Sequence, residues 1–371
     1  MSGIIQTDKT ARLGFGYMRL PKKDGAFDIK QICKMADAFI ENGGTYFDAA
    51  YVYEGAEVAL RESVVKRHPR DNVLIATKLN MNPVNSAEQL DEQFKTSLER
   101  LGTDYVDFYL LHGLNAGTSA KAEKLGAWDY QQSLKEKGLI MHAGFSFHGL
   151  PEELDEILTK HPEAEFVQLQ INYFDWENQK VQSRLLYETA RKHDKPIVVM
   201  EPVKGGMLAS GTSPIADILR NAAPNSSMAS WALRFVAQLE GIFVILSGMS
   251  SLEQLTDNIA TFKALTPLTK EEQAALDNAI NVINGVPHIA CTSCRYCING
   301  CPSQIAIPAI IDIYNDYLIH KPMTNLDNKY KVWTKGDGKA GDCVACRACE
   351  SVCPQKLEIV DTLAKVSALF D

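Results

Sequence analysis

Nine cysteines are spread very unevenly along this 371-residue chain. Cys33 stands alone, and the other eight fall between Cys291 and Cys353. They write one pattern twice. Cys291, Cys294, Cys297 and Cys301 spell C-x2-C-x2-C-x3-C, followed by Pro302; Cys343, Cys346, Cys349 and Cys353 repeat it, followed by Pro354. Three thiols two residues apart wrap a short loop around three corners of a cube, and the fourth is led away by its proline. This is the ligand spacing of a 4Fe–4S cluster, in which the fourth cysteine serves the other cluster. The expected sets therefore cross: Cys291, Cys294, Cys297 and Cys353 for the first cluster, and Cys343, Cys346, Cys349 and Cys301 for the second. Zinc ribbons and fingers use two pairs with a longer gap, so zinc fits this spacing poorly.

Disulfide scaffolds are normally short secreted chains. The first residues, MSGIIQTDKTARLG, contain no apolar signal-peptide core. No apolar run approaches the roughly 18 residues that cross a bilayer. The expectation is a cytoplasmic protein whose clustered cysteines hold iron, and oxygen-sensitive clusters point to an anaerobe. Cys33 lies among Ile32, Met35, Ala36 and Phe39 and reads as a buried core thiol. The net charge of −8 and pI near 5.6 argue against a nucleic-acid or membrane partner, because no basic stripe is available. With 46% apolar and 23% charged residues, the chain is globular rather than disordered or fibrous.

The first 265 residues alternate short β-branched or aromatic runs with longer stretches of helical periodicity. The strand-like runs cover 14–18, 45–49, 73–79, 105–111, 141–146, 166–173, 197–203 and 242–248. Helices are expected at 28–42, 86–101, 178–193 and 226–239. Ser86 occupies an N-cap position, and Asn42-Gly43-Gly44 stops the first helix. Eight such units predict a (β/α)8 TIM barrel. A further helix at 270–284 leads to Gly285-Val286-Pro287. The expected division is a barrel over 1–284 and a small α+β iron–sulfur domain over 285–371, with a helix near 308–319.

Sites in such barrels lie at the carboxyl ends of the strands. There the chain places Asp48, Tyr53, Lys78 and His112 in order. Each alone has an ordinary structural reading. Together they form a proton-transfer set: an acid keeps a lysine charged, the ammonium lowers a phenol's pKa, the phenol protonates a carbonyl oxygen, and a histidine orients it. FDAAYVY (47–53), ATKL (76–79) and YLLHGLN (109–115) resemble the aldo-keto reductases, over roughly residues 10–265. The tail resembles bacterial two-cluster ferredoxins.

The resemblance implies a tetrad of Asp48, Tyr53, Lys78 and His112. It also implies nicotinamide contacts from Ser146, Gln170, Gly205, Gly206, Ser247, Gly248, Gln254 and Asn258. The pattern departs from the family at four places: Phe147 stands for an asparagine, Met200 for a stacking tyrosine, and Gly248 and Gln254 for the cations that hold a 2′-phosphate. His148 points to the mouth by position. NAD(P)H is the expected cofactor beside two 4Fe–4S clusters, and the small-residue loops at 205–206 and 247–251 would also suit the phosphate of FMN.

The expected function is an iron–sulfur oxidoreductase that reduces a carbonyl or unsaturated small molecule at the barrel mouth, the clusters relaying electrons. Two alternatives stay open. One is an electron-transfer protein with a non-catalytic barrel, working with a redox partner protein. The other is a nicotinamide-dependent carbonyl reductase whose clusters are structural.

Overall fold

The computed structural model describes residues 12–210, 215–285, 287–319 and 326–371. The chain divides into two compact units. The first comprises residues up to 178 together with 182–203 and 229–268; the second comprises 179–181, 204–228 and 269–371.

All eight strand-like runs enter one closed parallel barrel. Its strands are β1 (Leu13–Gly16), β2 (Tyr46–Asp48), β3 (Leu74–Asn80), β4 (Val106–Leu114), β5 (Ile140–Phe147), β6 (Phe166–Gln170), β7 (Ile197–Met200) and β8 (Ile242–Ser247). Each pairs with its neighbours in the chain, and β8 closes on β1. Parallel strands covered on both faces are apolar along their length rather than alternating, which is why these runs stood out. Tyr46, Phe108, Phe166, Val198, Val244 and Leu246 form a buried cluster, with the Tyr46 and Phe108 rings 5.0 Å apart. The register sets Gly16 beside Asp48, Asp48 beside Ala76, and Asn80 beside His112. The polar ends of β2, β3 and β4 are thereby brought to one rim.

The first helix, Ile29–Glu41, is capped by Asp28, whose carboxylate accepts from the Gln31 amide, and it stops at Asn42 before Gly43 turns left-handed at φ 87°. Cys33 departs from expectation. It is half-buried, one step around the helix from Ile32, and its thiol faces the Glu62 carbonyl at 3.9 Å. Ser86 is not the cap of the helix Glu88–Leu101. Ala87 takes that position, while the Ser86 hydroxyl bonds the Glu88 carboxylate and holds its pKa below the usual value.

In the second unit, the helix Lys270–Gly285 packs on Ala216–Ala222. The tail contributes the helices Ile307–Ile319, Leu326–Trp333, Ala348–Ser351 and Ile359–Phe370. Ile305, Ile307, Ile310, Ile313, Leu363 and Val366 form its core, and Cys297 and Cys349 are buried in it. An isolated parallel bridge joins Ile305 to Gly338. The helix Leu326–Trp333 was not legible in the sequence; the Tyr330 hydroxyl anchors it by accepting from the Ala340 amide and donating to Asp371. Among the described residues, no helix is long and apolar enough to cross a membrane.

Gly144 sets how closely β5 and β6 approach. A Cβ there would lie 2.6 Å from the Phe166 carbonyl oxygen on the adjacent strand. Gly144→Ala is therefore expected to destabilise the barrel by about 1–3 kcal/mol. A denaturant midpoint followed by far-ultraviolet circular dichroism checks this; an unchanged midpoint would show that the strands part freely.

Candidate functional site

Lys78 is fully buried at the carboxyl end of β3. Its ammonium donates to Asp48 Oδ1 and to the Ala49 carbonyl, both at 2.6 Å. Burial pulls the Lys78 pKa down and the Asp48 pKa up, and their mutual attraction opposes both shifts. Asp48 Oδ2 has no hydrogen-bond partner among the described residues. The phenol ring of Tyr53 lies over this pair, with Lys78 Nζ 5.2 Å from its centroid. Its backbone is fixed by two consecutive turns: the Tyr53 amide donates to the Ala50 carbonyl, and the Ala56 amide donates to the Tyr53 carbonyl. His112 meets the Tyr53 ring edge to face at 5.7 Å. Burial first, then the charge of Lys78 and the proximity of His148, hold His112 well below the usual imidazole value. Its ring is neutral at physiological pH and so keeps one N–H donor. The four residues expected from the sequence to act together are thus neighbours at the strand ends.

The expected cofactor contacts fall into separate groups. Ser146 is buried, and its hydroxyl accepts from the Gly113 amide at 2.7 Å. Gln170 donates to the buried carboxylate of Asp175, which also accepts from Asn172. Asn258 donates to Ser247, joining two of the expected residues at 2.8 Å. The Gln254 side chain accepts from the Ser250 amide, and Ser251 caps the helix Leu252–Lys263. Met200 faces the Gln168 amide through its sulfur. Gly205 and Gly206 belong to the second unit. There Gly205 abuts Thr292, whose backbone would lie 2.7 Å from an added Cβ.

The eight clustered cysteines line two cavities. Cys291, Cys294, Cys297 and Cys353 surround one, with about 320 Å³ of empty space, part of it open to solvent. Cys301, Cys343, Cys346 and Cys349 surround the other, with about 290 Å³. None of the nine cysteines forms a disulfide. The two motifs share a backbone conformation at a constant offset of 52 residues (343 − 291). Ser293, Arg295 and Gln304 have positive φ, and so do Ala345, Arg347 and Lys356. Such left-handed non-glycine residues are strained, and they curl each loop around its cavity. The Ser293 amide donates to Cys291 Sγ at 3.4 Å. Burial, then the charges of Cys294, Cys291 and Cys353, push the Cys297 thiol far up; burial, then Glu350, push Cys349 up to about 11. Burial disfavours free thiolates there, and four-cysteine donor sets of this size fit iron–sulfur cubanes, whose iron would hold the sulfurs deprotonated.

The aldo/keto reductase family profile matches residues 12–281, and a 4Fe-4S dicluster domain matches residues 290–358. The chain belongs to the aldo/keto reductase family. An aldo-keto reductase of Mycolicibacterium vanbaalenii is 30% identical over 244 residues, covering 65% of this chain and 80% of that protein. An NAD/NADP-dependent indole-3-acetaldehyde reductase of Schizosaccharomyces pombe is 28% identical over 212 residues, covering 56% and 66%. Among solved structures, the holo form of an aldo-keto reductase from Bacillus halodurans is similar at a TM-score of 0.58 and 26% identity, covering 72% of this chain and 91% of that one. This aldo/keto reductase is therefore an iron–sulfur oxidoreductase.

Sequence reading missed two residues of its rim. Glu57, four residues after Tyr53, is buried; it accepts from Thr77 at 2.6 Å and from Arg100 at 3.3 Å, and its charge acts on Lys78. Arg19, just beyond β1, lies over Gly248, where an added Cβ would be 3.3 Å from its side chain; it also pairs with Glu201. A cation thus reaches the β8 loop from β1, although residue 248 is not itself basic.

Two outcomes follow from this geometry. Removing Cys291 and Cys353 together should leave one cluster, about four irons per chain, whereas removing Cys343 and Cys353 should damage both; iron analysis with electron paramagnetic resonance separates these results. Unfolded His112 would titrate near ~6.5. Below that pH the unfolded chain takes up a proton that folded His112 refuses, so stability decreases as the pH is lowered there. His112→Asn should lose less stability than the parent between pH 7.5 and pH 5 (roughly bracketing that value), measured as denaturant midpoints.

Proposed function

We propose that this aldo/keto reductase reduces a carbonyl or unsaturated small molecule at the barrel mouth, with Tyr53 as proton donor and the 4Fe–4S clusters as electron relay. The observation that carries the reading is the buried Asp48–Lys78 pair beneath Tyr53, with neutral His112 at its edge. A substrate oxygen between Tyr53 and His112 accepts a hydrogen bond from each. The Tyr53 hydroxyl then gives its proton to that oxygen, and the Lys78 ammonium beside the ring stabilises the phenolate left behind. Asp48 holds Lys78 in place and offsets the burial that would otherwise neutralise it.

A nicotinamide, when bound, supplies the hydride to the carbonyl carbon. The NAD/NADP-dependent relative of Schizosaccharomyces pombe supports NAD(P)H in that role, and FMN is without such support. Ser146, Gln170 and Ser247 at the strand ends, with Asn258 bonded to Ser247, would hold the cofactor, and Arg19 would supply a cation for a phosphate. The hydride carries both electrons that one carbonyl takes up; without a nicotinamide, two clusters each reduced once would supply the same two electrons singly, and the carbonyl carbon would take its proton from solvent. A redox partner protein is the proposed source of electrons for the clusters.

A structural role for the clusters is the second reading, supported by the burial of Cys297 and Cys349 within the tail's own core. Turnover unaffected by the redox state of the clusters favours it. Tyr53→Phe tests the catalytic assignment: turnover with an aldehyde should fall by about 10²–10⁴-fold while the brown cluster absorption stays unchanged. Full turnover by Tyr53→Phe overturns it.

A further inference from the structure

The two cysteine loops match in backbone conformation but differ in charge: Glu350 stands beside Cys349 in the second, where the first has Ile298. Arg295 lines the first cavity and Arg347 the second, at matching positions and with matching left-handed backbones. A further difference lies two residues beyond the fourth cysteine of each motif. After Cys301 comes Ser303, whose hydroxyl donates to the Asp342 carbonyl. After Cys353 comes Gln355, which lines the first cavity together with Cys291, Cys294, Cys297 and Cys353.

Gln355 Oε1 accepts a hydrogen bond from the ammonium of Lys204. Both side chains are buried, Lys204 to 2% exposure and Gln355 to 5%. The adjoining turn closes on the same loop. Lys204, Gly205 and Gly206 all have positive φ, and Gly205 sits against Thr292, the residue after Cys291. A lysine in a left-handed conformation is strained, and burying its ammonium adds a desolvation cost.

The proton-transfer chemistry proposed for the barrel makes no use of this residue. A fixed cation one side chain away from four cluster thiolates has a direct electrostatic effect. It favours the reduced, more negative state of that cluster, and burial strengthens it by lowering the local dielectric. The second cavity has a different surface: Cys346 and Val344 in its lining are exposed, Val344 at 66%.

Resting on the two-cluster reading, we propose that Lys204, held by Gln355, raises the potential of the cluster bound by Cys291, Cys294, Cys297 and Cys353 above that of its neighbour. An electron that enters at the exposed second cluster then settles on the first: the second cluster is oxidised by one electron as the first is reduced by one. Lys204 is a tuning residue and touches no substrate.

The test is a redox titration of the full-length, iron-loaded protein followed by electron paramagnetic resonance. Lys204→Met should shift the oxidised-to-reduced ratio of the first cluster about tenfold toward oxidised at a given potential, a fall of about 59 mV for a one-electron couple. The second cluster should move much less. Lys204→Arg, which keeps the charge, should restore the parent value. Lys204→Gln keeps a hydrogen-bonding group without charge, and it must show the same fall if Lys204→Met fails to take up iron. Neutral variants that hold both clusters and titrate like the parent overturn the proposal. A parent protein with no cluster signal would instead overturn the two-cluster reading itself.

Discussion

Each cluster cavity takes three thiols from one cysteine motif and the fourth from the other. Neither site is complete until both motifs, 52 residues apart (343 − 291), have come together. A tail of this size has a small core, and such units commonly rely on a metal or cross-link for stability. The crossing explains why Cys297 and Cys349 lie in the same apolar cluster as Ile310 and Leu363. It also explains the paired left-handed residues, whose strain would have no compensation in a loop that held nothing.

The barrel concentrates its costs differently. Its interior is filled by rings and branched side chains, yet at one rim it buries a lysine, an aspartate and a histidine. A buried ion pair is weak support for stability. Asp48 and Lys78 sit where the strand ends converge, and the charge of Glu57 adds to that of Asp48 in favouring the charged lysine. The same burial holds His112 well below the usual imidazole value.

The sequence made the barrel legible because parallel strands buried on both faces read as continuous apolar runs. The cluster ligands were legible because their spacing is rigid. Order along the strand ends was enough to pick out Asp48, Tyr53, Lys78 and His112. Contacts between residues far apart in sequence were not legible. Arg19 meets Glu201 across 182 positions and Lys204 meets Gln355 across 151, and no local pattern marks either pair. Small geometric shifts accounted for other differences: Ser86 turned to the side chain of Glu88 instead of capping a helix, Cys33 lay at the edge of its apolar stripe, and Gly205 was packed against Thr292.

The central claim is that electrons held by the clusters reach a substrate in the barrel. It is tested most directly by single-turnover kinetics without oxygen. The clusters are reduced with dithionite, excess reductant is removed, and the protein is mixed with aldehydes and ketones, with and without nicotinamide, in a stopped-flow spectrometer. The account predicts substrate-dependent reoxidation, with one carbonyl reduced for each pair of clusters reoxidised. Clusters that stay reduced while NAD(P)H alone sustains turnover would contradict it.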